Sequence, residues 1–166
     1  MTDTVADDII FRPAWCLDDD QIGHDARQLW ALRNISHTLT AGRERELCAA
    51  AYSGDKLAAI STARQLYSPV MRNTFFGYRC LVAPDFRRQN LAWRITAYSI
   101  KLLQDWAVQN PEEKILGLLI YVETDKFDAG LRRPIRENFG LAMHFVGYNE
   151  DNQQMRVIWF DDIALN

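Results

Sequence analysis

The chain has 166 residues, of which 48% are hydrophobic and 25% are charged, and its formal net charge is −3. A chain of this size and composition is typical of one soluble globular domain, which buries about 70% of its unfolded surface and needs no metal or disulfide to fold. The negative net charge argues against general nucleic-acid binding, and no apolar run reaches the length of a membrane span.

Cysteine and histidine are used sparsely. The three cysteines, Cys16, Cys48 and Cys80, form no CxxC pair, which is typical of reduced thiols in a cytosolic protein. The three histidines are scattered, so no metal site is predicted. The chain starts with the acidic stretch MTDTVADDII, which lacks the basic region of a secretory signal, and we expect a cytoplasmic protein.

The chain begins with a predicted strand and helix. Residues 9–15 (IIFRPAW) have the pattern of a strand. The aspartates at 18–20 provide an N-cap and favourable charge for a helix over about residues 20–35. Gly42 and its charged neighbours indicate either a short second helix or a loop.

Three more strands are predicted before a long helix. The strands at 46–52 and 57–64 flank SGDK, which predicts a hairpin turn. Residues 68–73 then form a loop and residues 75–82 a further strand. Next comes an amphipathic helix whose apolar face carries Leu91, Ile95, Tyr98, Leu102 and Trp106.

The last third of the chain predicts a buried strand, a short helix and a hairpin. Pro111 stops the long helix, and residues 115–123 have the continuous apolar pattern of a strand buried on both faces. RPIRENFGL (133–141) has room only for a short helix, with its proline near the first position. Strands at 141–148 and 153–160 enclose the turn NEDN.

This order of elements predicts an α+β fold with a mixed sheet, in a single domain covering residues 1–166. The strand–helix–strand unit over residues 75–123 favours a parallel pair of strands, because a helical crossover is the usual connection between parallel neighbours.

The stretch LVAPDFRRQNLA (81–92) places two arginines where the long helix begins. A helix start leaves several N–H groups without helical acceptors and carries positive potential. Arg87, Arg88 and the N–H groups of residues 88–92 are therefore suited to bind a pyrophosphate. Taken alone, two arginines at a turn are more often an ordinary solvated surface.

The same stretch, together with the order of elements, resembles the Gcn5-related N-acetyltransferase (GNAT) superfamily. The family signature is a strand ending in V-x-P, a short gap and then [Q/R]-x-x-G-x-[G/A] at the start of a helix. Val82, Pro84, Arg87, Asn90 and Ala92 stand in register with it. The resemblance in element order extends over almost the whole chain.

The resemblance implies a GNAT-like acyl-CoA N-acyltransferase fold that uses acetyl-CoA or another acyl-CoA as co-substrate. It implies a slot for pantetheine where the strands at 75–82 and 115–123 separate, and direct acyl transfer to an amine, with the thioester carbonyl polarised by a backbone N–H. The residues that it places at the cofactor are Leu81, Val82, Arg87, Arg88, Gln89, Asn90, Leu91 and Ala92.

Three features depart from the family pattern. Asn90 stands where the motif has glycine, although asparagine tolerates positive φ better than most residues. Phe76 stands where histone-acetylating relatives carry a glutamate base. Residues 123–147 contain no tyrosine to protonate the departing thiolate, and Pro134 interrupts the helix expected there.

Replacement catalytic groups are predicted at the end of the second parallel strand. We expect Glu123 to act as the base, directly or through water, and Tyr121 to donate a proton to the sulfur. A solvent-facing charge and a packing tyrosine are the alternatives. Cys80, His144 and the first-helix residues Trp30, Arg33 and His37 are expected to serve packing or the surface.

The sequence therefore predicts an acyl-CoA-dependent N-acyltransferase acting on the amine of a small molecule or peptide. The alternative is a catalytically inactive GNAT-like protein that binds CoA or a partner. A relative of acyl-homoserine-lactone synthases is disfavoured, because the arginine-rich loop points to CoA. We expect neither a nucleic acid nor a membrane as partner, and a homodimer is compatible with the sequence.

Overall fold

The computed structural model describes residues 8–35, 40–87, 89–122 and 129–165. Its strands are β1 (Ile9–Pro13), β2 (Leu47–Ser53), β3 (Lys56–Ser68), β4 (Asn73–Val82), β5 (Ile115–Val122), β6 (Ile135–Asn138), β7 (Leu141–Tyr148) and β8 (Gln154–Trp159). Its α-helices are α1 (Asp20–Leu32) and α2 (Leu91–Gln109). In the described part of the chain, no helix is long and apolar enough to cross a membrane.

The strands form one mixed sheet in the order β1-β2-β3-β4-β5-β8-β7-β6. β4 and β5 are parallel, whereas β5 with β8, β8 with β7 and β7 with β6 are antiparallel. The predicted α+β class, the mixed sheet and the parallel pair are thereby confirmed.

Contacts between Cα atoms group the residues into two compact units. One comprises residues 1–62 and 80–99, and the other comprises residues 63–79 and 100–166. β3, β4 and α2 each contribute residues to both units. The single domain expected from the sequence stays a prediction.

In the first unit, α1 starts as its sequence predicts. The side chain of Asp19 accepts a hydrogen bond from the N–H of Ile22 at 3.0 Å, which satisfies one of the free donors of the first turn. The helix ends at Leu32, three residues before the predicted residue 35. Arg33 caps this end, and its N–H donates a hydrogen bond to the carbonyl of Leu29. Its buried face consists of Ile22, Gly23, Ala26, Leu29 and Trp30.

The first half of α2 packs on β1 through aromatic contacts. The ring of Phe11 stacks on Tyr98 with centroids 5.3 Å apart, and the guanidinium of Arg94 lies 5.5 Å from the centroid of Phe11. A buried pair of hydroxyls also ties this helix to β3, since the Oγ atoms of Ser61 and Ser99 are 2.9 Å apart. Helix and strands are therefore joined by both apolar and polar contacts.

In the second unit, the interior is built around β4, β5 and β8. The core cluster is Phe75, Leu116, Leu119, Met155 and Val157. The backbones of β5 and β8 approach so closely at Gly117 that a Cβ there would collide with the carbonyl oxygen of Ile158. Glycine is therefore required at that position for steric reasons.

The short helix predicted within residues 133–141 is wrong. The helical piece lies earlier, as a 3₁₀ turn at Ala129–Arg132, and β6 follows it and pairs with β7 from Ile135–His144 to Asn138–Leu141. A two-residue turn joins these strands, because Phe139 and Gly140 both have positive φ, at 47° and 73°. Such turns match the twist of a hairpin, which stabilises a strand where helix was expected.

A buried arginine fixes the segment that leads into β6. Arg156 of β8 is only 1% exposed and donates hydrogen bonds to the carbonyls of Leu131 and Arg133, both at 2.8 Å. It also donates to the side chain of Gln154 at 2.6 Å and to the carbonyl of Met143 at 3.2 Å. These acceptors compensate for the loss of water around the charge.

Candidate functional site

The loop after β4 is shaped by short-range backbone bonds. The N–H of Ala83 bonds to the carbonyl of Ala58 at 2.8 Å, which holds the end of β4 against β3. A 3₁₀ turn at Pro84–Phe86 follows, in which the N–H of Phe86 bonds to the carbonyl of Ala83 at 3.0 Å. The Phe86 side chain is 7% exposed and anchors the loop in the interior.

Asn90 marks the start of α2. Its carbonyl accepts hydrogen bonds from the N–H groups of Trp93 at 3.0 Å and Arg94 at 3.1 Å. Its φ is 53°, in the left-handed region where glycine and asparagine are the favoured residues. Asparagine therefore supplies the positive φ expected of the motif's glycine position, and the N–H groups of Leu91 and Ala92 precede the first bonds of the helical ladder.

The predicted cofactor residues differ in exposure. Arg87, Gln89, Asn90 and Ala92 are exposed, whereas Leu91 is buried beneath the first turn of the helix. Leu81 and Val82 at the end of β4 are half-buried, and Arg88 lies outside the described residues. The surface at the helix start is thus formed by polar or small side chains and has the positive potential of a helix N-terminus.

Pairing with β5 covers only the first part of β4. Among the described residues, the parallel register runs from Thr74–Ile115 to Gly77–Leu119, while β4 continues to Val82. The parallel register therefore ends before Leu81 and Val82. The resemblance to the GNAT family predicts that the two strands separate in this part of β4.

Phe76 stands where the family resemblance predicts the glutamate base of histone-acetylating relatives, and its side chain is fully buried. Its ring packs against Trp106 at 5.7 Å and Phe160 at 6.3 Å between centroids. The position therefore contributes to the apolar core and supplies no proton acceptor.

Of the two predicted catalytic residues, Tyr121 lies within the described residues and Glu123 does not. Tyr121 is half-buried on β5, opposite Met155 in the register with β8, and packs against the core cluster of the second unit. Glu123 lies outside the described residues. The packing expected as the alternative for Tyr121 is present, and a role in proton donation stays a prediction.

Cys80 is poorly suited to nucleophilic chemistry. Although the residue has exposed surface, desolvation raises the pKa of its thiol to about 11, and a hydrogen bond with Thr96 only partly opposes this. Burial likewise raises the pKa of Cys48 to about 11. Both thiols are therefore protonated at neutral pH.

The remaining sequence candidates are spread over several elements. Trp30 is buried in α1, and Arg33 is half-buried at its C-terminal end. His144 is half-buried on β7, opposite Val157 of β8. His37 lies outside the described residues.

One polar cluster escaped the sequence analysis. The hydroxyl of Tyr52 donates to a carboxylate oxygen of Asp25 at 2.8 Å, and the guanidinium of Arg12 lies 4.6 Å from the centroid of the Tyr52 ring. Burial, followed by the bond to Asp25, raises the pKa of Tyr52. These residues belong to β1, α1 and β2, and no local pattern in the sequence connects them.

Comparison with solved structures relates this arrangement to known proteins. Arabidopsis thaliana NAA60 in complex with acetyl-CoA is 14% identical, with 92% of this chain and 98% of that chain covered and a TM-score of 0.54. The ribosomal-protein-S18-alanine N-acetyltransferase from Escherichia coli is 13% identical over 95% of this chain and 99% of that chain, with a TM-score of 0.50. An acetyltransferase of the GNAT family from Streptococcus pneumoniae is 11% identical, with 92% of this chain and 98% of that chain covered and a TM-score of 0.50.

These similarities define the class of fold. The chain has the GNAT fold, with the same mixed sheet that its sequence predicted. No protein-family model and no curated protein matches the chain. At identities this low, the comparison shows the fold alone.

Proposed function

We propose that the protein is an acyl-CoA-dependent N-acyltransferase that transfers an acyl group, with acetyl the expected one, to the amine of a small molecule or peptide. The observation that carries this proposal is the start of α2, where Asn90 adopts a positive φ and its carbonyl accepts the first helical hydrogen bonds. The GNAT fold supports it, as does the acetyl-CoA bound in the structure of NAA60.

The start of α2 provides the proposed phosphate site. The N–H groups of Leu91 and Ala92 lie before the helical ladder, and Arg87 and Gln89 are exposed beside them. Arg88 adjoins them in the sequence. A pyrophosphate carries negative charge, so both the helix terminus and the guanidinium groups favour its binding.

The end of β4 provides the proposed site for the pantetheine arm and the thioester. Backbone groups of Leu81 and Val82 would pair with the amides of pantetheine, as an added strand pairs with a sheet edge. A backbone N–H of this segment would polarise the thioester carbonyl as the amine attacks its carbon. Fixed placement of the two reactants supplies much of the expected rate enhancement.

The chemical step needs two proton transfers. The amine nitrogen forms a bond to the carbonyl carbon, the carbon–sulfur bond breaks, and CoA leaves as a thiolate that accepts a proton. We assign the loss of the amine proton to Glu123 and protonation of the sulfur to Tyr121. The raised pKa of Cys80 favours this direct transfer over an acyl-cysteine intermediate.

A second candidate function is binding of CoA or a partner without catalysis. Phe76 favours this alternative, because its ring fills the core where related enzymes carry a glutamate base. Both candidates use the same phosphate site. They differ in whether CoA thiol is released when an amine is added.

Calorimetry with CoA tests the shared site. Arg87→Ala should weaken CoA binding about 10- to 100-fold, corresponding to about 1.5–3 kcal/mol for a charge-assisted hydrogen bond. Arg64→Ala is the matched control, since Arg64 is an exposed arginine on β3. Unchanged affinity in a folded Arg87→Ala protein would refute the assignment of the loop.

Thiol release from acetyl-CoA with a panel of amines then separates the two candidates. Release that depends on both acetyl-CoA and an amine identifies the enzyme. Tight CoA binding without release for any amine would favour the binding protein.

A further inference from the structure

β1 forms one edge of the sheet and carries an apolar side chain on its surface. Among the described residues, β2 is the strand that pairs with β1, and Ile10 of β1 is 57% exposed. Such an edge presents backbone N–H and carbonyl groups that another strand can use.

The contacts with β2 show which backbone groups of β1 point outward. The N–H of Ala14 bonds to the carbonyl of Cys48 at 2.9 Å, so Ala14 is directed toward β2. Because hydrogen bonding alternates along an antiparallel strand, Ile10 and Arg12 share this orientation, and Ile9, Phe11 and Pro13 have their backbone groups on the outer side. Proline suits an outward position because it has no N–H to donate.

We propose that the outer edge of β1 pairs with β1 of a second copy of this chain, forming a twofold dimer. The strands would run antiparallel about an axis through the paired Ile10 residues. The outward backbone groups of Ile9 then bond to those of Phe11 in the second copy, and the reciprocal bonds follow by symmetry. Exposed Ile10 contacts its own symmetry mate.

The charges at the ends of β1 select this register. With Ile10 on the axis, Asp8 lies opposite Arg12 of the second copy, and both residues are exposed. The symmetry produces this opposite-charge pair twice, and such cross-strand pairs are stabilising. The guanidinium of Arg12 contacts the ring of Tyr52, and Tyr52 lies opposite Ile10 in the register with β2, so Arg12 and Ile10 are on the same face of the sheet.

The neighbouring registers lack this complementarity. An axis through Phe11 would place Pro13 opposite Ile9, where the missing N–H of proline removes two hydrogen bonds from the dimer. It would also place Arg12 opposite Ile10. An axis through Ile9 would place Asp8 opposite Ile10, so neither shift forms the Asp8–Arg12 pair.

The dimer should be reversible, because a five-residue strand offers only a small interface. Analytical ultracentrifugation of the full chain should therefore show a monomer–dimer equilibrium that shifts to dimer with protein concentration and weakens with added salt. Ile10→Lys would place two like charges on the axis and should abolish the dimer. Val108→Lys, at a residue 74% exposed at the end of α2, should leave it intact.

Loss of the dimer in Val108→Lys, or a wild-type chain that stays monomeric at every concentration, would overturn the proposal. Circular dichroism separates misfolding of Ile10→Lys from loss of the interface. An independent measurement is disulfide formation by Ile10→Cys in a Cys16→Ser/Cys80→Ser background with diamide, which accepts the two thiol hydrogens. Facing residues of a pair like Ile10–Ile10 have Cα atoms about 4.5 Å apart, within the range for a disulfide.

Charge exchange tests the register. Asp8→Lys and Arg12→Glu should each weaken dimerisation, and the double variant should restore it because the opposite charges are again paired. Restoration is specific to the register, because only an axis through Ile10 places residue 8 of one copy opposite residue 12 of the other. A double variant weaker than both single variants would refute the assigned register, as would equal cross-linking of Ile10→Cys and Val108→Cys.

Discussion

The start of α2 and residues 129–138, which lead into β7, are stabilised in different ways. At residues 83–92, the turns are closed by partners a few positions away, such as the bond from Phe86 to Ala83 and the bonds from Trp93 and Arg94 to Asn90. At residues 129–138, the decisive partner is Arg156, far along the chain. The region that fits the family motif is thus encoded locally, and the region that departs from it depends on long-range contacts.

This difference predicts how each region responds to substitution. A locally encoded loop keeps its backbone when one residue is exchanged for another of similar conformational preference, as with asparagine at the position of the motif's glycine. The segment after β5 adopts a hairpin strand in place of a helix because Arg156 and β7 supply its hydrogen bonds. Removing one distant side chain should therefore affect the second region more than the first.

The largest expected effect is at Arg156. Arg156→Met should lower the free energy of unfolding by about 3 kcal/mol, because the carbonyls of Leu131 and Arg133 lose buried donors. Urea denaturation measures the loss, and hydrogen exchange should show increased opening at residues 129–138. Arg132→Met is the control, since Arg132 is exposed. Equal effects of the two substitutions would contradict the role given to Arg156.

The sequence predicted the features that local residue preferences determine and missed those that depend on long-range contacts. The cap at Asp19, the hairpin turn at Gly54 and the start of α2 at Asn90 were predictable because local residue preferences determine them. β6 was missed because its turn uses Phe139 at positive φ, which bulky residues rarely adopt. The buried donors of Arg156 depend on pairing between distant strands, which periodicity does not reveal.

The candidate site also combines features that the sequence predicts with features that it does not. The conformation at Asn90 follows from residue type, whereas the contact between Tyr52 and Asp25 requires β2 and α1 to be in place. The parallel neighbours β4 and β5 were predictable from the crossover helix, but the extent of their pairing was not.

An intermediate effect is expected at Asn90. Asn90→Ala should lower the free energy of unfolding by about 1 kcal/mol, because alanine is strained at the φ of 53°, while Asn90→Gly should be close to neutral. Thermal denaturation measures both, with Gln89→Ala as a control at an exposed neighbour. If Asn90→Ala were as stable as wild type, the positive φ would not be a constraint on this loop.

The CoA affinities of Asn90→Gly and Asn90→Ala also test the proposed phosphate site. If the Asn90 side chain occupies space that a phosphate needs, Asn90→Gly should bind CoA more tightly. If it donates a hydrogen bond to the phosphate, both Asn90→Gly and Asn90→Ala should bind CoA more weakly. An affinity that ignores both substitutions would place the ligand away from this residue.

The smallest expected effect on activity is that of substituting Cys80, which lies on β4 just before the loop. Desolvation raises the pKa of Cys80 to about 11 from an ordinary 9.0, so less of this thiol is ionised at pH 8 than in an ordinary cysteine. In a Cys16→Ser/Cys48→Ser background, labelling with a disulfide reagent should be slow at pH 8 and should accelerate as the pH approaches 11. Thr96→Val should slow labelling further, because the hydrogen bond between the thiol and Thr96 lowers the pKa of Cys80. Cys80→Ser should leave acyl transfer nearly unchanged, since the protonated thiol is not the nucleophile. Rapid labelling at pH 8 together with loss of transfer in Cys80→Ser would instead point to an acyl-cysteine intermediate.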